Sequence, residues 1–441
     1  LRPLAGPGII CYTGVMKKRT SFPGVFWVAN LIEVVERYVY YGFYFGFGIY
    51  LTGLGYSEEQ LGTLQFILLL FTYGLTIFTG FLGDRFGFKK MLLISFSLYF
   101  PPFLLLVFVK NLTGIGAILV LLSTAAAIFK PLPAGTVRLG TDKTNKTLGF
   151  GIFYAMVNVG GTLGPLVMGA LRVIEWKYAF MAAAGGVVLM TLMTLLFYKE
   201  PPRERPKESF GRHIRASFSV LSDLKFSFFL ILMGVMFWIP FWAFYNILAL
   251  YVDKSLDTAR LYVELHAVFG GAINVVSHEV GGTMRIAGES ISHTGYIILI
   301  LQLLVSRLSE KFQPLPSIIF GLIVQAAGMV ILGLAFRTEP AFLFLGILVF
   351  AVGEMISSPR FDEYITYLAP REKAGMYMGL VTASVAVGAF SGPIYTPLYG
   401  HFEKLGHPDY VWYFLGAHLA IGMVILAVYV RLTGGFKEAE E

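Results

Sequence analysis

Twelve apolar segments recur along this chain, each near the ~20 residues that a helix needs to cross a bilayer. They fall at 24–51, 60–83, 91–109, 113–139, 148–171, 178–198, 226–252, 290–308, 316–336, 340–359, 374–399 and 409–432. Only 14% of the 441 residues are charged and 56% are hydrophobic, whereas a soluble domain carries about a quarter charged residues. The chain therefore reads as an all-α integral membrane protein with twelve transmembrane helices. The interval 199–225 (KEPPRERPKESFGRHIRASFSVLSDLKF at 199–226) is Pro-rich and charged, and too short and polar to hide two more spans. It divides the spans into two six-helix bundles, 24–198 and 226–432, between an N-terminal segment 1–23 and a tail 433–441.

Lysine and arginine set the orientation, because cytoplasmic loops accumulate them. With both ends inside, 24 of the 34 Lys and Arg fall on the inner side and eight on the outer; Arg37 and Lys130 lie within spans. Both termini are thus expected in the cytoplasm, with the protein in the plasma (inner) membrane. The net charge of +7 is mostly this topology signal, and no nucleic-acid partner is expected. The single cysteine, Cys11, excludes an internal disulfide framework or a cysteine metal site. Residues 1–15 precede the first methionine and read either as an upstream extension or as residues foreign to the native chain. They make a poor signal peptide, since no long apolar core follows a basic start.

Charges inside spans are the next constraint. Glu33, Glu36 and Arg37 sit in the apolar run Phe26 to Leu51, where each costs roughly 2.5–3.5 kcal/mol on insertion scales. They must face protein or a water-filled cavity. Glu33 and Arg37 are four apart and share a helix face. Lys130 lies in an otherwise uncharged stretch, LVLLSTAAAIFKPLPAG, and a cation there demands an anion, for which Glu33 and Glu36 are the first-half candidates. Glu354 is the lone acid of an apolar span in the second half. The competing readings are a buried ion pair that only pins packing, and snorkelling of Lys130 to the surface.

The stretch GFLGDRFGFKK contains Gly80, Gly83, Asp84, Arg85, Gly87, Lys89 and Lys90. Its glycines permit close helix approach, the acid and arginine can pair across a tight turn, and the lysines anchor to the cytoplasmic face. It resembles the loop motif between spans two and three of the major facilitator superfamily of transporters. VSRLSEKF at 305–312 is a degenerate echo in the second half. The resemblance implies that superfamily's fold and a cytoplasmic gate. One connection is unusual: 253–289, apolar but interrupted by Glu264, His266, His278 and Glu279. It reads as an interfacial helix or a lid over the outer mouth. Its two histidines lack a nearby third ligand, so no metal is expected.

Glu33-x-x-Glu36-Arg37 followed by Tyr40-Tyr41-Gly42 resembles the first-helix motif of the proton-dependent oligopeptide transporter family, a branch of that superfamily. Lys130-Pro131 is similar to its fourth-helix lysine, and Phe153-Tyr154 with Asn158-Val159-Gly160-Gly161 to its second motif. The glycines there, with Gly164, suit tight helix packing; a nucleotide loop is excluded because no strand precedes it. Tyr73, Trp242 with Asn246, and Glu354 ahead of Ser358-Pro359 and Ala369-Pro370 complete the resemblance. It implies proton coupling through Glu33, Glu36, Arg37 and Lys130. It also implies a substrate site of Tyr40, Tyr41, Tyr73, Lys130, Asn158, Trp242, Asn246 and Glu354, with Glu354 at the peptide amine. The chain departs from that family at Tyr44 (often a second arginine), Asn246 (commonly an acid) and Val381 (a tryptophan). Its span-8 asparagine has His293 or Thr294 as nearest candidate, and the two extra helices of many bacterial members are missing.

The expected activity is proton-coupled symport of di- or tripeptides by alternating access. Protonation of a carboxylate frees Lys130 to meet the substrate carboxylate. Protons are the coupling ion, no other cofactor is expected, and the protein is expected to act as a monomer in the lipid bilayer. The alternatives are a carrier of another small molecule (drug, anion or metabolite) and a nutrient receptor that does not transport. An enzyme is not expected, because the seven histidines are scattered rather than clustered with acids.

Overall fold

The computed structural model describes residues 22–142, 145–202, 209–309, 311–368 and 374–433. Cys11, most of the N-terminal segment, the centre of the linker, Glu310 of the 305–312 echo, Ala369-Pro370 and residues 434–441 of the tail lie outside the described residues. The first half contains α1 (Gly24–Gly53), α2 (Glu58–Gly74), α3 (Thr76–Phe86), α4 (Phe88–Phe108) and α5 (Leu112–Phe129). It continues with α6 (Pro131–Leu139), α7 (Lys146–Ile174) and α8 (Trp176–Leu196). The connection between halves holds a short amphipathic helix, α9 (Phe210–Ser219).

The second half begins with α10 (Leu224–Met233), a π-helical turn at Gly234–Trp238, and α11 (Ile239–Ser255). Then come α12 (Thr258–Phe269), a 3-10 segment (Gly270–Val276), and the antiparallel strands β1 (Ser277–Val280) and β2 (Thr283–Ile286), with Ser277 opposite Ile286. The remaining helices are α13 (Gly288–Ile291), α14 (Gly295–Ser309), α15 (Pro314–Arg337), α16 (Phe342–Leu368), α17 (Ala374–Val387), α18 (Ser391–Lys404) and α19 (Tyr410–Thr433).

Among the described residues, nine helical stretches are long and apolar enough to span a membrane, and ten if α2 and α3 form one span bent by 41°. The two expected spans outside that count have physical reasons to fall short. Three ionisable side chains interrupt α1. The 374–399 span is broken at Gly388–Phe390 into α17 and α18. Other spans bend where the sequence dictates. Proline lacks the amide hydrogen of an interior helical residue, so Lys130-Pro131 separates α5 from α6. Residues 253–289 add a small hairpin to an otherwise helical fold, and 287–294 beyond it are buried among the helices.

Two close approaches position the site. In α1 and α7, Gly42 faces Gly164; a Cβ on Gly164 would lie 2.8 Å from the Gly42 nitrogen, so only glycine permits this crossing. At the turn between α3 and α4, Gly87 adopts φ +110°, a conformation open to glycine at little cost. The Glu200 carboxylate then caps α4, accepting the backbone N–H groups of Phe88 (2.8 Å) and Lys89 (2.7 Å). Lys89 Nζ donates to the Leu195 carbonyl at 3.1 Å. Asp84 and Arg85 are exposed beside this turn, while Gly83 is buried against Leu132 and Phe88.

Candidate functional site

Both carboxylates of α1 converge on one guanidinium. Arg37 Nε donates to Glu33 Oε1 at 2.7 Å, and Nη1 lies 3.3 Å from Glu36 Oε2. Glu33 and Glu36 are wholly buried. Helix geometry explains the pairing: Glu33 is one turn before Arg37 and Glu36 adjoins it. Tyr99 of α4 donates to Glu36 Oε1 at 2.7 Å, which holds that carboxylate from a second helix. The Gly160 position of α7 presses on the Val34 carbonyl and Arg37 Cβ, so the tight α1–α7 crossing closes the triad from its other side.

Lys130 does not share these carboxylates. Its ammonium lies 5.0 Å from the centre of the Tyr40 ring and 4.7 Å from that of Tyr73, and no ion pair joins it to a described residue. Two aromatic faces hold it by cation–π attraction. Arg37 is positioned by its own helix to take both acids, while Lys130 comes from another segment, the break between α5 and α6.

Between the halves lies a cavity of about 100 Å³, lined from α1 by Tyr41, Tyr44 and Phe45 and from α7 by Asn158. The second half contributes Phe241, Trp242 and Tyr245 of α11, His293 and Thr294, and Glu354 of α16. The Tyr245 hydroxyl sits 2.8 Å from Glu354 Oε2 and 2.7 Å from Thr294 Oγ1. Asn158 Nδ2 donates to the Tyr154 carbonyl at 2.9 Å. The Tyr73 and Trp242 rings, 5.2 Å apart, join the Lys130 group to the cavity. Drug-sized ligands occupy pockets of about 300–1,000 Å³, so loading this site requires the halves to separate.

Of the residues expected at the substrate site, Tyr41, Asn158, Trp242 and Glu354 line the cavity. Tyr40, Tyr73 and Lys130 form the adjoining aromatic group. Asn246 turns elsewhere: its Oδ1 accepts the Tyr44 hydroxyl at 2.6 Å and its Nδ2 donates to Ser391 Oγ at 2.9 Å. Two departures from the resembled family therefore satisfy each other across the two halves. Val381 is buried in α17. Phe45, Phe241 and Tyr245 escaped the sequence reading because an aromatic in an apolar run resembles any packing residue. For His293 a signal existed, a polar run SISHTG at the start of span 8. Both ring nitrogens of His293 are buried without a partner.

The end of the bundle opposite the 199–225 linker is sealed by ion pairs between halves. Arg172 of α7 donates to Glu289 of α13, and its Nη2 lies 2.6 Å from Asp253 Oδ1 of α11. Glu58 of α2 faces Lys254 at 3.5 Å and Lys404 at 4.0 Å. Among the described residues no cluster of His, Cys, Asp and Glu could hold a metal.

A family profile described as Major Facilitator Superfamily matches residues 29–284 and 265–440. An uncharacterised MFS-type transporter of Bacillus subtilis, YqjV, is 22% identical, covering 81% of each chain. The multidrug resistance protein MdtH of Aeromonas hydrophila is 23% identical over 86% of this chain and 87% of its own. Among solved structures, a POT family transporter in complex with 5-aminolevulinic acid superposes with a TM-score of 0.71 at 18% identity, covering 93% of this chain and 96% of that one. At that identity the likeness is one of fold.

Proposed function

Since this chain belongs to the major facilitator superfamily, and is thus a membrane transporter and not an enzyme, we propose that it is a proton-coupled symporter of small peptides working by alternating access. The observation that carries this reading is the wholly buried Glu33–Glu36–Arg37 triad beside Lys130. Two anions and two cations there sum to zero. A proton on either glutamate leaves one uncompensated positive charge, which is costly in a low-dielectric interior unless an anion joins it. A substrate carboxylate at Lys130 supplies that anion, so proton and cargo load together. The two halves then rock about the central cavity, and each cycle must break and remake the Arg172 and Glu58 ion pairs. In this scheme both termini are cytoplasmic and the sealed end faces outward.

The decisive assay is uptake into proteoliposomes under an imposed proton gradient, comparing di-, tri- and tetrapeptides. Dipeptide accumulation should follow the gradient and be lost in Lys130→Ala and Glu33→Gln. Unimpaired accumulation in both variants would refute the coupling scheme. A second reading, a carrier of drugs or other small molecules, is favoured by Tyr44 and Asn246 being spent on each other, and by similarity to a multidrug resistance protein. Such a carrier should ignore a dipeptide panel, and a non-transporting receptor should bind dipeptides without accumulating them.

A further inference from the structure

We infer that the protein holds a second binding site, a side cavity beneath the 253–289 connection, for an uncharged amphiphile taken from the bilayer. Its apolar body fills the cavity and its hydroxyl head group meets Thr162, Ser290 and His293. The cavity measures about 560 Å³, within the range of small-molecule sites. Its apolar walls include Leu166 of α7, Leu265 and Phe269 of α12, Ile273 of the 3-10 segment, Tyr296 of α14 and Phe344 of α16. Thr162, Ser290 and His293 line it too, and His293 also lines the central cavity, so the two cavities share a wall. Thr162 Oγ1, Ser290 Oγ and both ring nitrogens of His293 are buried with no hydrogen-bond partner among the described residues. Ser290 is 2% exposed and His293 1%. Two of these groups converge: a Cβ built on Gly295 would lie 2.7 Å from Thr162 Oγ1 and 3.2 Å from His293 Nδ1. Buried polar atoms are normally paired, so four unpaired ones on a single cavity call for a partner from outside the chain.

The lining selects the occupant. It contains no Asp, Glu, Lys or Arg, so a charged head group would be buried without a counter-ion, at high cost. A hydroxyl both donates and accepts, and so do the Thr162 and Ser290 hydroxyls and a neutral imidazole. The source follows from the rim. Val263, Val268, Phe269 and Val275 of α12 and the 3-10 segment are 61% to 74% exposed, an apolar surface that belongs against lipid. The cavity also spans the seam of the molecule: Thr162 and Leu166 come from the first half and the other lining residues from the second. Parting the halves at the sealed end would dismantle it, so the occupant binds the closed arrangement.

The test is photoaffinity labelling of the full-length protein in phosphatidylcholine nanodiscs, mapped by mass spectrometry. The probe is dodecanol carrying a diazirine on its chain. Matched diazirine derivatives of dodecyl sulfate and dodecyltrimethylammonium keep the chain and carry a charge at any pH. The alcohol should label the segment from Leu265 to Val276, or Tyr296, and excess unlabelled dodecanol should compete it away; the charged probes should not label there saturably. Removing the head-group contacts in a Thr162→Val, His293→Phe double variant should weaken the alcohol's apparent affinity about tenfold or more, the scale of two lost hydrogen bonds. Ala272→Trp sits on the exposed side of the lining, so it should fold normally, shown by an unchanged thermal midpoint, yet abolish the saturable labelling by filling the cavity. Labelling should also fall in Arg172→Ala, which loosens the sealed end. Labelling that no competitor saturates, equal saturable labelling by either charged probe, or labelling unchanged in both the double variant and Ala272→Trp overturns the inference; each of these outcomes leaves the peptide reading of the central cavity untouched.

Discussion

Two largely buried arginines among the described residues each hold two acids, and they do so in opposite ways. Arg37 takes Glu33 and Glu36 from its own helix. Arg172 takes Glu289 and Asp253 from the other half of the molecule. The first arrangement survives any rigid movement of the halves, because α1 carries all three residues. The second cannot, since parting the halves at the sealed end separates Arg172 from both partners. The same chemistry thus suits a proton site when it is local to one helix, and a latch when it bridges two bundles.

The largest expected effect comes from breaking the local triad. Arg37→Ala strands two wholly buried carboxylates, and removal of one partner from a buried ion pair costs about 3–5 kcal/mol. The variant should unfold at markedly lower temperature or denaturant concentration and should not transport. A Glu33→Gln, Glu36→Gln, Arg37→Gln triple variant removes the stranded charge and should recover much of the stability without the transport. Equal instability of the two variants would show that packing, not charge, dominates there.

Breaking the bridging triad should act on conformation more than on folding. Arg172→Ala leaves Glu289 buried and unpaired only while the sealed end is closed, so the open state gains by up to about 3–5 kcal/mol relative to it. A cysteine replacing Ser290, which is 2% exposed, should react with a polar maleimide far faster in the Arg172→Ala background, with Cys11 changed to serine. An unchanged labelling rate would refute the latch. The neutral clasp between the halves should matter less. Tyr44→Phe removes one buried hydrogen bond to Asn246, worth about 1 kcal/mol, and should ease opening slightly while leaving proton dependence intact.

The smallest effect concerns His278, on β1 near Arg172. Burial, then the Arg172 charge, lower the pKa of its imidazole from the ordinary 6.5; Asp253 pulls the other way, and Arg285 adds a smaller downward push. A group with a lowered native pKa favours the unfolded state as protons are added, so its contribution is intact above pH 6.5 and lost as pH falls below it. His278→Gln should therefore flatten the decline in thermal stability between about pH 7 and about pH 5. The difference should shrink in Arg172→Ala, which tests the contact between hairpin and latch.

Much of the architecture was written in one dimension. Apolar runs of bilayer length, the polar interval at 199–225 and the isolated charges at Glu33, Glu36, Arg37, Lys130 and Glu354 depend only on local composition, because lipid taxes each unpaired polar group wherever it lies along the chain. The Glu33–Arg37 pair was legible for the same reason, being set by helical spacing. Partnerships between distant segments were not. Residue type alone placed Lys130 with the glutamates, whereas packing gave both acids to Arg37 and aromatic rings to the lysine. Nothing local joins Tyr44 to Asn246, 202 residues away, or carries Glu289 to Arg172. Nor does spacing reveal that the break before α14 turns His293 to the cavity wall. Which charges exist within the membrane was decided by the sequence. Which of them remain free to meet a cargo was decided only when the two halves closed on each other, because pairing in a low-dielectric interior is settled by distances of a few ångströms.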